Sequence, residues 1–339
     1  MERKLQITIK DIAKELGISP STVSRALKNH PDISEKTKEA VHGLANKYHY
    51  KPNSVALSLR SSHTNMIGVI IPKVVHFFFS SVISGIEEVA NEEKYNVMIC
   101  QSDENAEREI TSIQSLMSSR VDGTLASVTK DTLDFSHFQE LVDEGIPLVF
   151  FDRAAKEIDT DKVIIDDEEG AFIATEHLIQ TGCKKIVHLA APLNLIIGQK
   201  RKDGYIKALN KYNIPVDNNL IVKCDSREDA LVVMKELYHS GIIPDGVFAV
   251  NDLTATGAMK VIKEMGYRIP QDVKVVGFSD GFVAQVTDPT MTTIDQHGFE
   301  MGKAAARLLL DRIKNEITNY SAVTKVIPTD LIKRESTGY

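Results

Sequence analysis

The chain has 339 residues, 42% hydrophobic and 26% charged, a balance that excludes a disordered or membrane-spanning class and, at about 100 to 200 residues per domain, predicts two or three units. The net charge of -7 speaks against nucleic-acid binding only as an average, because it is segregated. Residues 1–65 carry eleven Lys or Arg against six Asp or Glu, a net of +5, and residues 66–339 carry -12.

A basic head on an acidic body suits an anion-binding module joined to a sensor or an enzyme. No apolar run approaches the roughly 20 residues of a spanning helix, so no membrane association is expected. The start, Met1 to Gln6, leads into no secretory signal, so a cytoplasmic protein is expected. Cys100, Cys183 and Cys224 are far apart and form no C-x-x-C, which argues against a disulfide framework or a zinc cluster.

In chain order, Thr8-Ile9-Lys10-Asp11 reads as a capping box that opens a first helix, with Ile12, Ala13 and Leu16 as its apolar stripe. Gly17 supplies the positive φ that stops it. Ser19 as N-cap and Pro20 at the first helical position start a second helix, whose Val23 and Leu27 face inward. Ser34 caps a third, with Val41, Leu44, Ala45 and Tyr48 closing a small core. Two helices separated by so short a turn make a helix-turn-helix, whose second helix enters the major groove. Its outer face carries Pro20, Ser21, Thr22, Ser24, Arg25 and Lys28. Arg25 matches the two acceptors of a guanine edge, Ser21 sits near base edges, and Thr22, Ser24 and Lys28 suit phosphates. A merely solvated polar face is the competing reading of the same residues.

The segment I-T-I-K-D-I-A-K-E-L-G-I-S-P-S-T-V-S-R-A-L (7–27), together with Y-K-P-N-S-V-A-L-S-L-R (50–60), resembles the LacI/GalR family of bacterial transcription regulators, and order and spacing agree along essentially the whole chain. The second motif matches the family's hinge. The resemblance implies that this segment folds into a helix on operator DNA and that Leu59 inserts into the minor groove. Independently, Pro52 ends the third helix, Asn53 can cap a new helical turn, and Ser54–Arg60 is too short to be helical alone. An apolar wedge such as Leu59 can kink a duplex, and Ala56 is small enough for close approach. A plain linker over 52–65 is the alternative. The candidate DNA-binding residues are therefore Thr8, Ser19, Pro20, Ser21, Thr22, Ser24, Arg25, Lys28, Asn53, Ala56 and Leu59.

From Met66 the chain alternates short apolar runs (67–71, 96–100, 123–127, 147–151, 162–165) with helical stretches near Phe79, Ala106 and Phe135. The pattern repeats with strands at 185–189, 220–224, 246–250 and 273–278 and helices around 198–212, 227–240 and 253–265. Apolar strands with helical crossovers predict an α/β fold of two doubly wound parallel lobes, placed after the three-helix head. The resemblance implies the fold of periplasmic sugar-binding proteins, with lobe crossings near 165, 295 and 323. The expected units are a head (1–51), a hinge (52–65), a first lobe (66–165 plus 296–322) and a second lobe (166–295 plus 323–339).

Ligands of open parallel sheets bind beyond the carboxyl ends of the strands. Those positions hold His76 to Phe79, Gln101 to Asp103, Ser127, Asp152-Arg153, Arg201, Asp225-Ser226, Asn251-Asp252 and Ser279-Asp280. Aromatics with a few polar groups are the composition of a small-molecule site. Asn251 or Asp252 could equally cap a helix, and Phe77 to Phe79 could be core. The resemblance implies effector contacts from Arg201 in R-K-D-G-Y, Asn251 in N-D, Phe78, Phe79 and Gln296. The family's G-[FY]-D-D is G-F-S-D here, so Ser279 replaces an aspartate, and Ser226 stands where several members place an aromatic ring. These departures point to an effector unlike that of the best-known members. The candidate effector-binding residues are His76, Phe78, Phe79, Asp152, Arg201, Ser226, Asn251, Ser279, Asp280 and Gln296.

An enzyme is not expected: there is no G-x-G-x-x-G after a strand, no P-loop, no G-x-S-x-G and no H-E-x-x-H. Neither cofactor nor metal is expected. The expected function is a ligand-responsive transcriptional regulator, a repressor, that binds a pseudo-palindromic operator as a homodimer and takes a sugar or sugar phosphate between its lobes. The alternatives are a regulator answering to a purine, nucleoside or partner protein, and a solute-binding protein.

Overall fold

The computed structural model describes residues 7–50, 63–192, 195–315 and 321–339. The chain divides into two compact units, Met1–Thr64 and Asn65–Tyr339.

The first unit holds α1 (Ile9–Leu16), α2 (Pro20–Leu27) and α3 (Glu35–Lys47). The Asp11 carboxylate accepts from the Thr8 N–H at 2.8 Å and from the Thr8 hydroxyl at 2.7 Å, which fixes the start of α1. Gly17 (φ 63) turns the chain into Ser19, whose Oγ accepts the Thr22 N–H at 3.1 Å. Ser34 caps α3 in the same way through the Thr37 N–H. Ile12, Ala13, Val23, Ala26, Val41 and Ala45 are buried, and Leu27 and Leu44 pack half-buried against them. Tyr50, rather than Tyr48, completes this core. Helix α3 ends at Lys47, His49 takes φ 50, and the Tyr50 N–H returns to the Ala45 carbonyl. Tyr48 instead donates its hydroxyl to Glu15 at 3.1 Å.

The second unit contains two six-stranded sheets. The first lobe comprises β1 (Met66–Ile71), α4 (Phe77–Glu92), β2 (Asn96–Gln101), α5 (Ala106–Ser118), β3 (Gly123–Ala126), α6 (Ser136–Asp143), β4 (Leu148–Phe151) and β5 (Asp161–Ile165). The second comprises α7 (Asp167–Gln180), β6 (Ile186–Ala190), α8 (Ile196–Lys211), β7 (Ile221–Lys223), α9 (Arg227–His239), β8 (Gly246–Ala249), α10 (Asp252–Glu264), β9 (Lys274–Ser279), α11 (Phe282–Val286) and β10 (Thr292–Asp295). The chain then returns through α12 (Gly298–Lys314), which packs on α4, and ends with β11 (Thr324–Ile327) and β12 (Asp330–Ile332). Strand orders are β11-β5-β4-β3-β1-β2 and β12-β10-β9-β8-β6-β7. Central strands such as β3, β4, β6 and β8 are buried throughout, because helices cover both faces.

The third crossing corrects the expectation near 323. Strand β11 pairs in parallel with β5, from Thr324 opposite Lys162 to Ile327 opposite Ile165. Residues 324–327 therefore extend the first sheet, and only β12, antiparallel to β10, joins the second. The other two passages fall between β5 and α7 and between β10 and α12. No helix among the described residues is long and apolar enough to cross a membrane.

Candidate DNA-binding face and ligand cleft

On the head, Ser19, Pro20, Ser21, Arg25 and Lys28 are exposed, and Thr22 and Ser24 are half-buried. The Ser19 hydroxyl lies 2.7 Å from that of Ser21 and 2.8 Å from that of Thr22, so these three are spent on the helix cap unless DNA displaces them. Thr8 is exposed and tied to Asp11, whose carboxyl it holds below the usual range by hydrogen bonding. The Arg25 guanidinium makes no hydrogen bond or ion pair among the described residues and is available to a base or phosphate. Asn53, Ala56 and Leu59 lie outside the described residues.

In the second unit nine of the ten candidate effector residues line one cleft of about 340 Å³. The exception is Asp280. Ser279 (φ 134) and Asp280 (φ 51) both take left-handed backbone, and the Asp280 carboxylate turns to Arg334 Nη1 at 2.7 Å.

Arg201 comes from α8 and shows what the R-K-D-G-Y spacing does. Its Nε donates to Asp167 Oδ1 at 2.7 Å, its Nη1 donates to the Val250 carbonyl at 2.6 Å, and its guanidinium lies 3.8 Å from the Phe278 ring centre. One nitrogen, Nη2, is left without a partner among the described residues. Gly204 lets α8 approach α7, since a Cβ there would collide with the Glu168 carbonyl. Tyr205, fully buried, donates to the Ile186 carbonyl at 2.8 Å and anchors the helix to its sheet.

Asp152 faces the cleft from the end of β4. It takes φ 59, its side chain keeps 6% exposure, and neither carboxylate oxygen accepts a hydrogen bond from a described residue. Burial pushes its carboxyl up to about 6, against the pull of Arg153 and Arg201. His76, at the start of α4, is held below the usual imidazole range by burial and by Arg153. Phe78 and Phe79 meet edge to face, with ring centres 5.3 Å apart.

Several groups serve the scaffold as well as the cleft. Asn251 caps α10 by accepting the Thr254 N–H at 2.8 Å, and its amide donates to the Asp225 carbonyl at 2.9 Å. Ser226 caps α9 through the Asp229 N–H at 3.0 Å. The Ser279 hydroxyl donates to Gln296 Oε1 at 2.8 Å. Asp252 is purely internal, accepting from the Thr293 hydroxyl at 2.6 Å and the Gly281 N–H at 2.7 Å.

Sequence reasoning missed Glu104 and Lys130, which stand one and three residues beyond Asp103 and Ser127, the last positions read from the ends of those strands. Glu104 accepts Arg153 Nη1 at 2.9 and 3.0 Å and the Lys130 N–H at 3.0 Å. Lys130 Nζ then reaches Asp225 at 3.2 Å, an ion pair from one lobe to the other. Glu109, fully buried, steadies this loop by accepting from the Thr129 N–H and the Thr132 hydroxyl, both at 2.7 Å, with His137 Nε2 at 3.0 Å. The cleft thus presents polar groups from both lobes that can orient a polar molecule, and among the described residues no group of His, Cys, Asp and Glu could hold a metal ion.

Residues 8–53 match the family model described as bacterial regulatory proteins, lacI family, and residues 64–335 match that of periplasmic binding proteins and the sugar-binding domain of the LacI family. The chain is 33% identical over 332 residues to the ribose operon repressor of Halalkalibacterium halodurans, covering 97% of each chain. It is also 33% identical over 315 residues to the transcriptional repressor PurR of Vibrio atlanticus, covering 91% of this chain and 92% of the relative. Among solved structures, the lac repressor dimer bound to operator and the anti-inducer ONPF superposes with a TM-score of 0.86 at 25% identity, covering 98% of this chain and 99% of that one. A helix-turn-helix head joined to a two-lobed sensor, matched by family models over nearly its whole length, makes this chain a member of the LacI family, a DNA-binding transcriptional regulator and not an enzyme.

Proposed function

We propose that the protein represses transcription by binding a pseudo-palindromic operator as a homodimer in the cytoplasm, with α2 in the major groove, and that a sugar in the cleft controls it. The observation that carries the sugar reading is the pairing of hydrogen-bonding groups across the cleft. Asp152 offers from the first lobe two carboxylate oxygens that accept no hydrogen bond from a described residue, one of them 3.9 Å from Arg153 Nε, and Arg201 offers Nη2 from the second. A carboxylate that accepts two hydroxyls and a fixed guanidinium that donates to a third oxygen suit a polyol, with Phe78 and Phe79 giving apolar area. A ligand that binds the closed lobes better than the open ones shifts the protein toward closure, and operator affinity changes by the same coupling free energy.

A purine is the second reading, favoured by the equal identity to a relative named PurR and by the adjacent Phe78 and Phe79. A thermal-shift screen of pentoses, hexoses, cellobiose, hypoxanthine and guanine separates the two. We expect a sugar to raise Tm and Asp152→Asn to remove most of that shift. A shift from a purine base with none from any sugar would reject the reading.

A further inference from the structure

Resting on the sugar reading of the cleft, we infer that Lys130 and Asp225 are specificity-determining residues for ligand length: their ion pair partitions the space between the lobes and confines the effector to a single sugar ring. Two cavities adjoin this pair. The inner one, about 340 Å³, is the cleft that holds Phe78, Asp152 and Arg201. The outer one, about 690 Å³, is lined by Asp131, Leu133, Pro192, Lys223 and Asp229. Among the described residues, Lys130 and Asp225 are the only two that line both. Their side chains meet at 3.2 Å, Lys130 from the loop after β3 and Asp225 from the loop between β7 and α9.

Both ends of the pair are anchored. The Lys130 N–H donates to Glu104 at 3.0 Å, and Glu104 also holds Arg153 Nη1 on the cleft wall. The buried Glu109 fixes the same loop through the Thr129 N–H and the Thr132 hydroxyl. On the other lobe the Asp225 carbonyl accepts the Asn251 amide at 2.9 Å. The backbone thus sets where the two charges meet, and a pair this exposed adds little to global stability. What it does is separate the cavities. The inner one lies near the lower end of the range for small-molecule clefts, about 300–1,000 Å³, and it holds the groups that recognise a polyol. A second ring has to pass between Lys130 and Asp225 and part them. That is selectivity by a penalty on the wrong ligand, without extra contacts to the right one. With the pair gone, the outer cavity suits a second ring: Leu133, 80% exposed, and Pro192 offer apolar faces, and Asp131 and Asp229 accept hydroxyls.

The test is calorimetric titration of the full chain with matched sugars: D-glucose beside cellobiose and maltose, D-galactose beside lactose, D-fructose beside sucrose and D-ribose beside ribosyl-ribose. The expected result is that a monosaccharide binds the native chain and its disaccharide binds at least about fivefold more weakly, the cost of opening one partly exposed ion pair. Lys130→Ala and Asp225→Ala, made on opposite lobes, should each weaken the monosaccharide, strengthen the disaccharide and bring their ratio to about one. Lys130→Arg, which keeps the charge, should keep the native ratio. A disaccharide that binds the native chain as tightly as its monosaccharide overturns the inference, as does a ratio unchanged in both alanine variants. Should one alanine variant not fold, the other decides. Failure of every sugar of either length to bind the native chain rejects the sugar reading itself, a result distinct from binding without selection for length.

Discussion

Arg201 Nε and Asp167 Oδ1 lie 2.7 Å apart, and each side chain keeps only 5% of its surface exposed. Burial pushes the Asp167 carboxyl up, and the Arg201 charge is what opposes it. Arg201→Ala should therefore cost about 3–5 kcal/mol, because it leaves a buried carboxylate unmatched. Urea denaturation measures this, and Arg201→Met combined with Asp167→Leu should recover most of the loss. If Arg201→Ala keeps native stability, Asp167 has another counter-ion and the pair is not what holds α7 to α8 here.

Lys130 and Asp225 bridge the lobes at 3.2 Å, with side-chain exposures of 32% and 21%. An ion pair this open contributes little to global stability, about 1 kcal/mol or less. Its effect should instead fall on closure. Lys130→Met is expected to leave the urea midpoint nearly unchanged, to weaken the effector severalfold, and to raise the radius of gyration measured by solution scattering. A normal effector affinity with an unchanged radius would show that the lobes close without it.

His188 is fully buried, with Nδ1 at 3.2 Å from the Phe248 carbonyl and its ring stacked on Phe248 at 4.7 Å. Burial lowers its pKa from 6.5 to about 4. Between those values the unfolded chain is protonated and the folded one is not, so stability falls as pH drops from about 6.5 to about 4, by about 3 kcal/mol at most. Asp152 and Asp252, both raised to about 6, act in the opposite sense over about pH 4 to 6. His188→Phe should remove the first contribution, so that stability at pH 5 relative to pH 8 is higher than in the native chain by about 2 kcal/mol. Equal changes in the two proteins would place the titration elsewhere.

Effector affinity should depend on pH for a related reason. Asp152 titrates near 6 and accepts hydroxyls best when ionised. Sugar affinity should be constant above about pH 7 and fall below about pH 6, by up to about tenfold per unit. Asp152→Asn should flatten this profile. A native affinity that is level from pH 5 to pH 8 would mean that the ligand does not use this carboxylate.

How much of the cleft can be read in the sequence depends on local signals. Arg201, Asn251 and Gln296 sit at fixed offsets from strands or in motifs, and the chain places all three at the cleft. Asp167, by contrast, pairs with Arg201 across 34 residues, and no local pattern announces such a partner. Glu104 and Lys130 lie on turns past strand ends, where the backbone (φ 58 at Glu104) decides which way a side chain points. Strand β11 lies in the lobe opposite to the one its sequence suggests for a related reason. Its T-K-V-I is mostly exposed, so burial patterning is faint, and pairing with β5 decides its place. Asn251 is legible twice over, since the sequence offers both the cap and the cleft position and the residue serves both.

On the head, Arg25 and Lys28 are both exposed cations on or just beyond the second helix, yet they should fail differently when removed. A guanidinium bidentate to guanine reads sequence, whereas an ammonium near the backbone neutralises a phosphate and reads none. Arg25→Ala is expected to lose about 1–3 kcal/mol on the native operator and to become indifferent to the base at one position in each half-site. Lys28→Ala should weaken every sequence alike and reduce the slope of log affinity against log salt by about 1. Gel-shift titrations on single-base operator variants at several salt concentrations measure both. A uniform loss for Arg25→Ala across all variants would assign it to the phosphates and leave base reading to Ser21 and its neighbours.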